Sequence, residues 1–245
     1  VTVRLTARGV GCVLLDIEGT TTPISFVHEV LFPFARAHLD EFLESERRRG
    51  ALPGILDTLA AEHAADLARG ETPPARARDG WPASYLRWLM DRDRKSPALK
   101  QLQGLVWERG YQAGELRGQV FADVAPAVRA WRAAGIEVAI YSSGSELAQR
   151  RLFESIEDGD LTPSLSAFFD TRVGAKQSVE SYRNIARALG RNPAGVLFIS
   201  DVVGELAAAR EAGMLVLLCV RPGNPVQGDA DRFEAVKEFG EIRIG

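Results

Sequence analysis

The sequence predicts an α/β fold: a doubly wound parallel sheet interrupted by an inserted helical domain. Short apolar runs rich in Val, Leu and Ile occur at 11–17, 136–141, 196–199 and 215–220. The last three alternate with helical segments, the rhythm of strand–helix–strand units. Each of these runs ends in a polar cluster, as expected where a ligand crevice lies outside the carboxyl ends of parallel strands. Between Pro23 and Val120 no convincing strand appears, so residues 22–120 are expected to form a helical cap. Residues 1–21 and 121–245 are expected to form the sheet domain.

Each element has its own justification. Residues 11–17 lack the polar alternation of a half-exposed strand and suit one covered on both faces. From Ile24 to Glu46, Val27, Val30, Leu31, Phe34, Leu39, Phe42 and Leu43 recur at helical spacing, with Pro33 expected to kink or divide the helix. Residues 46–49 read as a solvated helix end. Helical patterns continue at 55–67, 85–90 and 99–111, the first two separated by a polar, proline-containing segment at 70–82. A helix at 125–134 ends at Gly135, a plausible C-cap. The strand 136–141 runs into Ser142-Ser143-Gly144-Ser145 and a helix at 146–153. A weaker strand, 168–173, precedes Gly174-Ala175-Lys176, and a helix at 179–189 ends at Gly190. The strand 196–199 delivers Ser200-Asp201 to a helix at 205–212, and the strand 215–220 ends in Arg221-Pro222-Gly223-Asn224. The whole is Rossmann-like.

Composition bounds the function. The chain has 245 residues, 46% hydrophobic, enough for one large α/β domain with an inserted subdomain. Thirty Lys and Arg against 33 Asp and Glu give a net charge of -3, which supplies no electrostatic footprint for nucleic acid or an anionic membrane. No apolar stretch approaches a membrane span and no signal-peptide core opens the chain. Cys12 and Cys219 fall inside apolar strands and are expected as buried free thiols, which fits a reducing cytoplasm.

The chemistry is concentrated at the strand ends. Asp16 ends an apolar strand, Glu18 follows at plus two and Thr20 at plus four, a pattern that suggests phosphoryl transfer through an aspartyl intermediate. Taken alone, Asp16 is equally a turn or capping aspartate. Asp201 follows another strand, with Glu205 across a helix start. Carboxylates from different strands, with no His or Cys beside them, suit a hard divalent cation such as Mg2+. Asp201 also has the chemistry of a helix N-cap. Ser142 and Ser143, at the start of a helix, could cradle a phosphate, and Lys176 could place one ammonium on it.

The ordered set Asp16-Ile17-Glu18-Gly19-Thr20, Ser142, Lys176, and Asp201 with Glu205 resembles the four motifs of the haloacid dehalogenase superfamily. Most phosphatases of that superfamily carry Asp where this chain has Glu18. With that departure, the run from Asp16 through Thr20-Thr21-Thr22-Pro23 to Leu31-Phe32-Pro33-Phe34 is similar to the enolase-phosphatase E1 (acireductone synthase) family. The likeness extends through residues 99–104, 141–145 and 169–171 and Val220-Arg221-Pro222-Gly223-Asn224. Gly174-Ala175-Lys176 replaces the Gly-His-Lys frequent in that family, and Gly204 replaces a bulkier residue.

The resemblance implies a Mg2+-dependent enzyme, one ion per subunit, that enolises 2,3-diketo-5-methylthiopentyl-1-phosphate and then removes its phosphate to give the acireductone of methionine salvage. It implies Asp16, Glu18 and Lys176 as catalytic groups and Asp16, the Glu18 carbonyl and Asp201 as metal ligands. Ser142, Ser143 and Lys176 would hold phosphate. It further implies a cytoplasmic monomer. Another small-molecule phosphatase of the superfamily, or a phospho-aspartate switch, are the alternatives. Phe26, Trp107 and Tyr111 are candidates for a tail pocket or for cap core. His28, His38 and His63 are expected at the cap surface, and the arginines near Arg47 and from Arg76 to Arg78 on solvated faces.

Overall fold

The computed structural model describes residues 2–50, 52–76 and 80–245. In chain order the elements are β1 (Val3–Arg4), β2 (Cys12–Leu15), a π-helical turn (Phe26–Leu31), α1 (Phe32–Arg49), α2 (Pro53–Ala68), α3 (Ala83–Met90) and α4 (Pro97–Gln112). The alternating part follows: α5 (Val124–Ala133), β3 (Glu137–Tyr141), α6 (Glu146–Glu154), β4 (Ala167–Phe169), α7 (Val179–Ala188), β5 (Val196–Ser200), α8 (Val203–Glu211), β6 (Leu215–Cys219), β7 (Ala235–Val236) and β8 (Ile242–Arg243).

Six strands form one parallel sheet in the order β4-β3-β2-β5-β6-β7, so β2 lies between β3 and β5. Every residue of β2 is buried. Cys12 and Leu14 share a core with Tyr182 and Ile185 of α7 and with Leu206 and Ala209 of α8. Val13 and Leu15 are equally inaccessible, which leaves no wet face on this strand. That is why its sequence lacks polar alternation. Leu15 pairs with Ile140 on one side and Ile199 on the other, so Asp16 leaves the sheet level with the ends of β3 and β5.

The chain divides into two compact units, Val1–Val27 with Leu116–Gly245, and His28–Glu115. The second is all-helical, among the described residues, and has its own core of Leu39, Phe42, Leu59, Leu86 and Leu102. Its buried acid, Asp66, accepts from Tyr85 Oη at 2.5 Å, from Arg94 at 2.6 Å and from Arg69. Burial alone would raise its pKa. Tyr85, Arg69 and Arg94 outweigh that and hold it below the usual carboxylate range.

Pro33 falls where the π-helical turn Phe26–Leu31 passes into α1, so the helical stretch is divided beside it, as expected. Several other expectations are corrected. The weak strand 168–173 is only Ala167–Phe169. Asp170 turns the chain out of the sheet by accepting from its own neighbour Arg172 N at 2.9 Å and from Glu146 N at 3.3 Å. His63 is buried rather than superficial. Its Nε2 lies 2.9 Å from Pro74 O and its ring meets Tyr85 edge-on. His28 is exposed and His38 half-buried. Arg76 covers the Trp81 ring, while Arg78 lies outside the described residues. The short pair β1–β8 and the edge strand β7 have no counterpart in the expected elements, being too short to carry a periodic signal. Cys12 and Cys219 are buried free thiols, each pushed up to about 12 by burial. No helix among the described residues is long and apolar enough to cross a membrane.

Candidate active site

Asp16 begins where β2 stops. Its N–H still donates to Ile199 O at 3.0 Å, continuing the ladder to β5, and its side chain is almost wholly buried. The chain then wraps tightly. The Ile17 carbonyl accepts from the N–H groups of Thr20, Thr21 and Thr22 at 3.2, 2.9 and 2.8 Å, and Gly19 adopts a φ of 74°. A side chain at Gly19 would be strained there, and an added Cβ would stand 2.3 Å from Asp201 Oδ2. Gly19 thus serves both the turn and the close approach of two loops.

Three side chains, Lys176 from the loop before α7 and Ser200 and Glu205 from the end of β5 and the start of α8, gather at Asp16. Lys176 Nζ donates to Asp16 Oδ1 at 2.5 Å and lies 2.8 Å from Glu205 Oε2. Ser200 Oγ sits 3.2 Å from Asp16 Oδ2 and 3.0 Å from Glu205 Oε2. Lys176 is steered by its own backbone, since Tyr182 Oη donates to the Lys176 carbonyl at 2.6 Å, and its ammonium stands 5.9 Å from the Tyr141 ring centre. Burial opposes its charge, but Asp16 and then Glu205 override that and raise its pKa. Lys176 is a fixed cation, not a solvated loop residue.

Asp201 is not the helix cap that its position allowed. The N-cap of α8 is Val202, with no side-chain cap bond, and the Ser200 hydroxyl receives Val202 N at 3.1 Å. Asp201 Oδ1 is instead buried with no hydrogen-bond partner among the described residues. Burial and then the charge of Asp16 push the Asp201 carboxyl up to about 7, and the same two causes push Glu205 up to about 8. Glu205 is engaged with Lys176 and Ser200.

Ser142 and Ser143 leave β3 beside the end of β2. Ser142 Oγ accepts from Gly144 N at 3.3 Å, and its N–H donates to Phe169 O at 3.1 Å. Neither serine is hydrogen-bonded to the acid–lysine cluster among the described residues. The loop is held by the buried Gln149, whose Nε2 donates to Gly144 O at 2.8 Å and Phe169 O at 2.9 Å. Glu18 is exposed and its backbone bridges Thr22. Trp107 donates to Leu31 O at 2.7 Å and stacks on Phe32, which makes it part of the helical unit's packing. Tyr111 is buried in α4 and Phe26 is buried in the sheet-bearing unit.

The donor set suits a hard divalent cation. Asp16 and Asp201 supply only oxygens, one of them orphaned and buried, at a point where burial and mutual repulsion disfavour two negative charges. No group of three or more His, Cys, Asp or Glu side chains is disposed for a metal among the described residues. A cation here would take its other ligands from main-chain oxygen and water, as Mg2+ commonly does.

Ser200, Gly19 and Tyr182 were not singled out for the site from the sequence. Ser200 carried a signal, being the last residue of an apolar strand before Asp201, but it read as capping chemistry. Tyr182 lies on a helix face that reads simply as core.

Comparison with known proteins shows the family. Residues 10–213 match the haloacid dehalogenase-like hydrolase family. The chain is similar to enolase-phosphatase E1 of Synechococcus elongatus, 51% identical over 230 residues that cover 94% of this chain and 96% of that one. It is 45% identical to enolase-phosphatase E1 of Drosophila melanogaster, covering 93% and 90% of the two chains. Among solved structures it is similar to the UTR4 protein of Saccharomyces cerevisiae, with a TM-score of 0.75, 33% identity, and coverage of 94% and 98%.

The contact between Gly19 and Asp201 yields a prediction. Gly19→Ala should force the Asp201 carboxylate away and weaken divalent-cation binding by about tenfold or more, the usual effect of disturbing the support of a ligand. Titration with Mn2+ followed by electron paramagnetic resonance measures this directly, and unchanged affinity would mean that the loops separate without consequence.

Proposed function

The chain belongs to the enolase-phosphatase E1 family of the haloacid dehalogenase-like hydrolases, and on that premise we propose that it converts 2,3-diketo-5-methylthiopentyl-1-phosphate to the acireductone 1,2-dihydroxy-3-keto-5-methylthiopentene and phosphate, as a step of methionine salvage. The observation that carries this reading is the meeting of Asp16, at the end of β2, with Asp201, just past the end of the adjacent β5, and with the part-buried Lys176 from the loop before α7.

Asp16 is assigned as nucleophile. Its carboxylate oxygen attacks phosphorus, the bond from phosphorus to the enol oxygen breaks, and that oxygen takes a proton. Water then attacks the aspartyl phosphate, releasing phosphate and restoring the carboxylate. Lys176, already cationic and held within 2.5 Å of Asp16, neutralises charge on the transferring group without reorganising. Its fixed charge also argues against Lys176 as the base of enolisation. Proton movement is assigned to Glu18, whose exposed side chain stands one residue beyond Ile17 on the same loop. Ser142 and Ser143 are assigned to the substrate phosphate, with donors at the start of α6. Asp16, the Glu18 carbonyl and Asp201 are assigned to one Mg2+ ion, which when bound offsets the repulsion between anionic nucleophile and phosphate and stabilises a developing enolate.

The helical unit is assigned the role of a cap that excludes water and admits the methylthioalkyl tail. Cytoplasmic location and action as a monomer belong to the same proposal. Buried free thiols support the first.

In a Mg2+-dependent assay with the diketo-phosphate, followed by enol absorbance and free phosphate together, enol should rise before phosphate. Phosphate release from simple esters with no reaction of the diketone would leave a general phosphatase of the wider superfamily. Asp16→Asn should abolish phosphate release, because an amide is a poor nucleophile and a poor metal ligand; turnover by this variant would remove the covalent step. Lys176→Ala should raise the barrier by about 2–4 kcal/mol, the loss expected for one preorganised electrostatic group. An unchanged kcat/KM would return Lys176 to a structural role.

A further inference from the structure

The segment that follows β6 has no part in the chemistry above, yet its polar side chains reach the backbone of both acid-bearing loops. Arg221 Nε donates to Thr20 O at 3.1 Å, and its Nη1 reaches Asp123 Oδ1 at 2.9 Å and Lys237 O at 3.1 Å. Arg221 is 5% exposed, and its guanidinium carbon lies 4.4 and 4.9 Å from the ring centres of Phe121 and Phe239. Asn224 Nδ2 donates to Gly19 O at 2.8 Å and to Cys219 O at 3.4 Å. Gln227 Nε2 donates to Asp201 O at 2.6 Å, while its Oε1 accepts from Val203 N at 2.9 Å. Positions 221, 224 and 227, three apart, thus take the Thr20, Gly19 and Asp201 carbonyls in turn. Pro222, Gly223, Pro225 and Val226 separate them, and Val226 is fully exposed.

We propose that Arg221, Asn224 and Gln227 are positioning residues, a clamp that sets the separation between the Asp16–Thr20 loop and the Asp201 turn and so preorganises the two carboxylates for a divalent cation. Each of the three side chains holds a main-chain carbonyl of a loop that carries an acid. The two loops that the clamp joins already touch where Gly19 lacks a side chain. Asn224 fixes Gly19 on one side of that contact and Gln227 fixes Asp201 on the other, so a slack clamp changes the distance between the loops before it changes the fold. Hydrogen bonds from side chains that orient ligands commonly govern metal affinity in this way.

The inference rests on the reading of Asp16 and Asp201 as a cation-binding pair, and Mn2+ binding by the whole protein separates the two. Gln227→Glu keeps the acceptor for Val203 N but loses the donor to Asp201 O and sets a carboxylate against it. Asn224→Ala removes the Gly19 bond. Each variant should bind Mn2+ at least about tenfold more weakly by electron paramagnetic resonance titration. The Tm should stay within about 4 °C of wild type, and the fully exposed Val226→Ala should bind as wild type does. Wild-type affinity in both clamp variants would overturn the clamp alone. Weaker binding that appears only with a larger fall in Tm would also overturn it, reducing the segment to a structural strap. Absence of Mn2+ binding by wild type would overturn the cation-pair reading and the clamp together.

Discussion

Asp16 is a carboxylate placed at the end of a strand that is dry on both faces, and most of the site can be read as the consequence. Removing an anion from water costs several kcal/mol unless other groups replace the lost solvation. Here the replacements are Lys176 from the segment after β4, Ser200 from the end of β5, and the Ile17 N–H at 2.7 Å. Lys176 and Ser200 come from distant parts of the chain, so those two partners reach the carboxylate only when the parallel sheet is assembled with β2 between β3 and β5. The strand order and the chemistry are therefore one requirement.

The satisfaction is incomplete in a specific direction. One ammonium serves Asp16 and Glu205, while Asp201 stands close by with an oxygen that nothing donates to among the described residues. Burial first, and then the charge of Asp16, raise Asp201 to about 7 and Glu205 to about 8. A phosphate monoester approaching this cluster would add further negative charge. Such a site favours anions only with another cation present, which is the electrostatic reason to assign Mg2+ to Asp16 and Asp201 rather than treating them as structural acids.

How much of this was legible in the sequence follows from where each partner lies. The strands that carry Asp16 and Asp201 announce themselves as apolar runs, because a doubly covered parallel strand has no polar face to blur the signal. Lys176 was legible only through its place in an ordered set; nothing local distinguishes a lysine after Gly174-Ala175 from a solvated one. Glu205 was visible as an acid, but its engagement with Lys176 and Ser200 depends on a helix pitch and a strand end meeting in space. His63 misled because a histidine among helical polar residues gives no sign that Pro74 O and Tyr85 will enclose it. Gln227 had no signal at all. It lies in an irregular segment and recognises main chain, so neither periodicity nor residue pairing could reveal it.

Recognition of main chain also explains how the loop accommodates Glu18. If the ion is held by the carbonyl at this position, the extra methylene of Glu relative to Asp lies off the metal and leaves that ligand unchanged. What must be conserved in space is the path of residues 16–22, and that path is fixed by groups other than the residue 18 side chain. Three N–H bonds converge on the Ile17 carbonyl, Thr21 Oγ1 donates to the Asp16 carbonyl at 3.1 Å, and Arg221 and Asn224 take the carbonyls of Thr20 and Gly19. The side chain at 18 is then open to vary with the chemistry demanded of it. The exposure of Glu18 therefore follows from a loop whose path is held by its main chain and by groups other than this side chain.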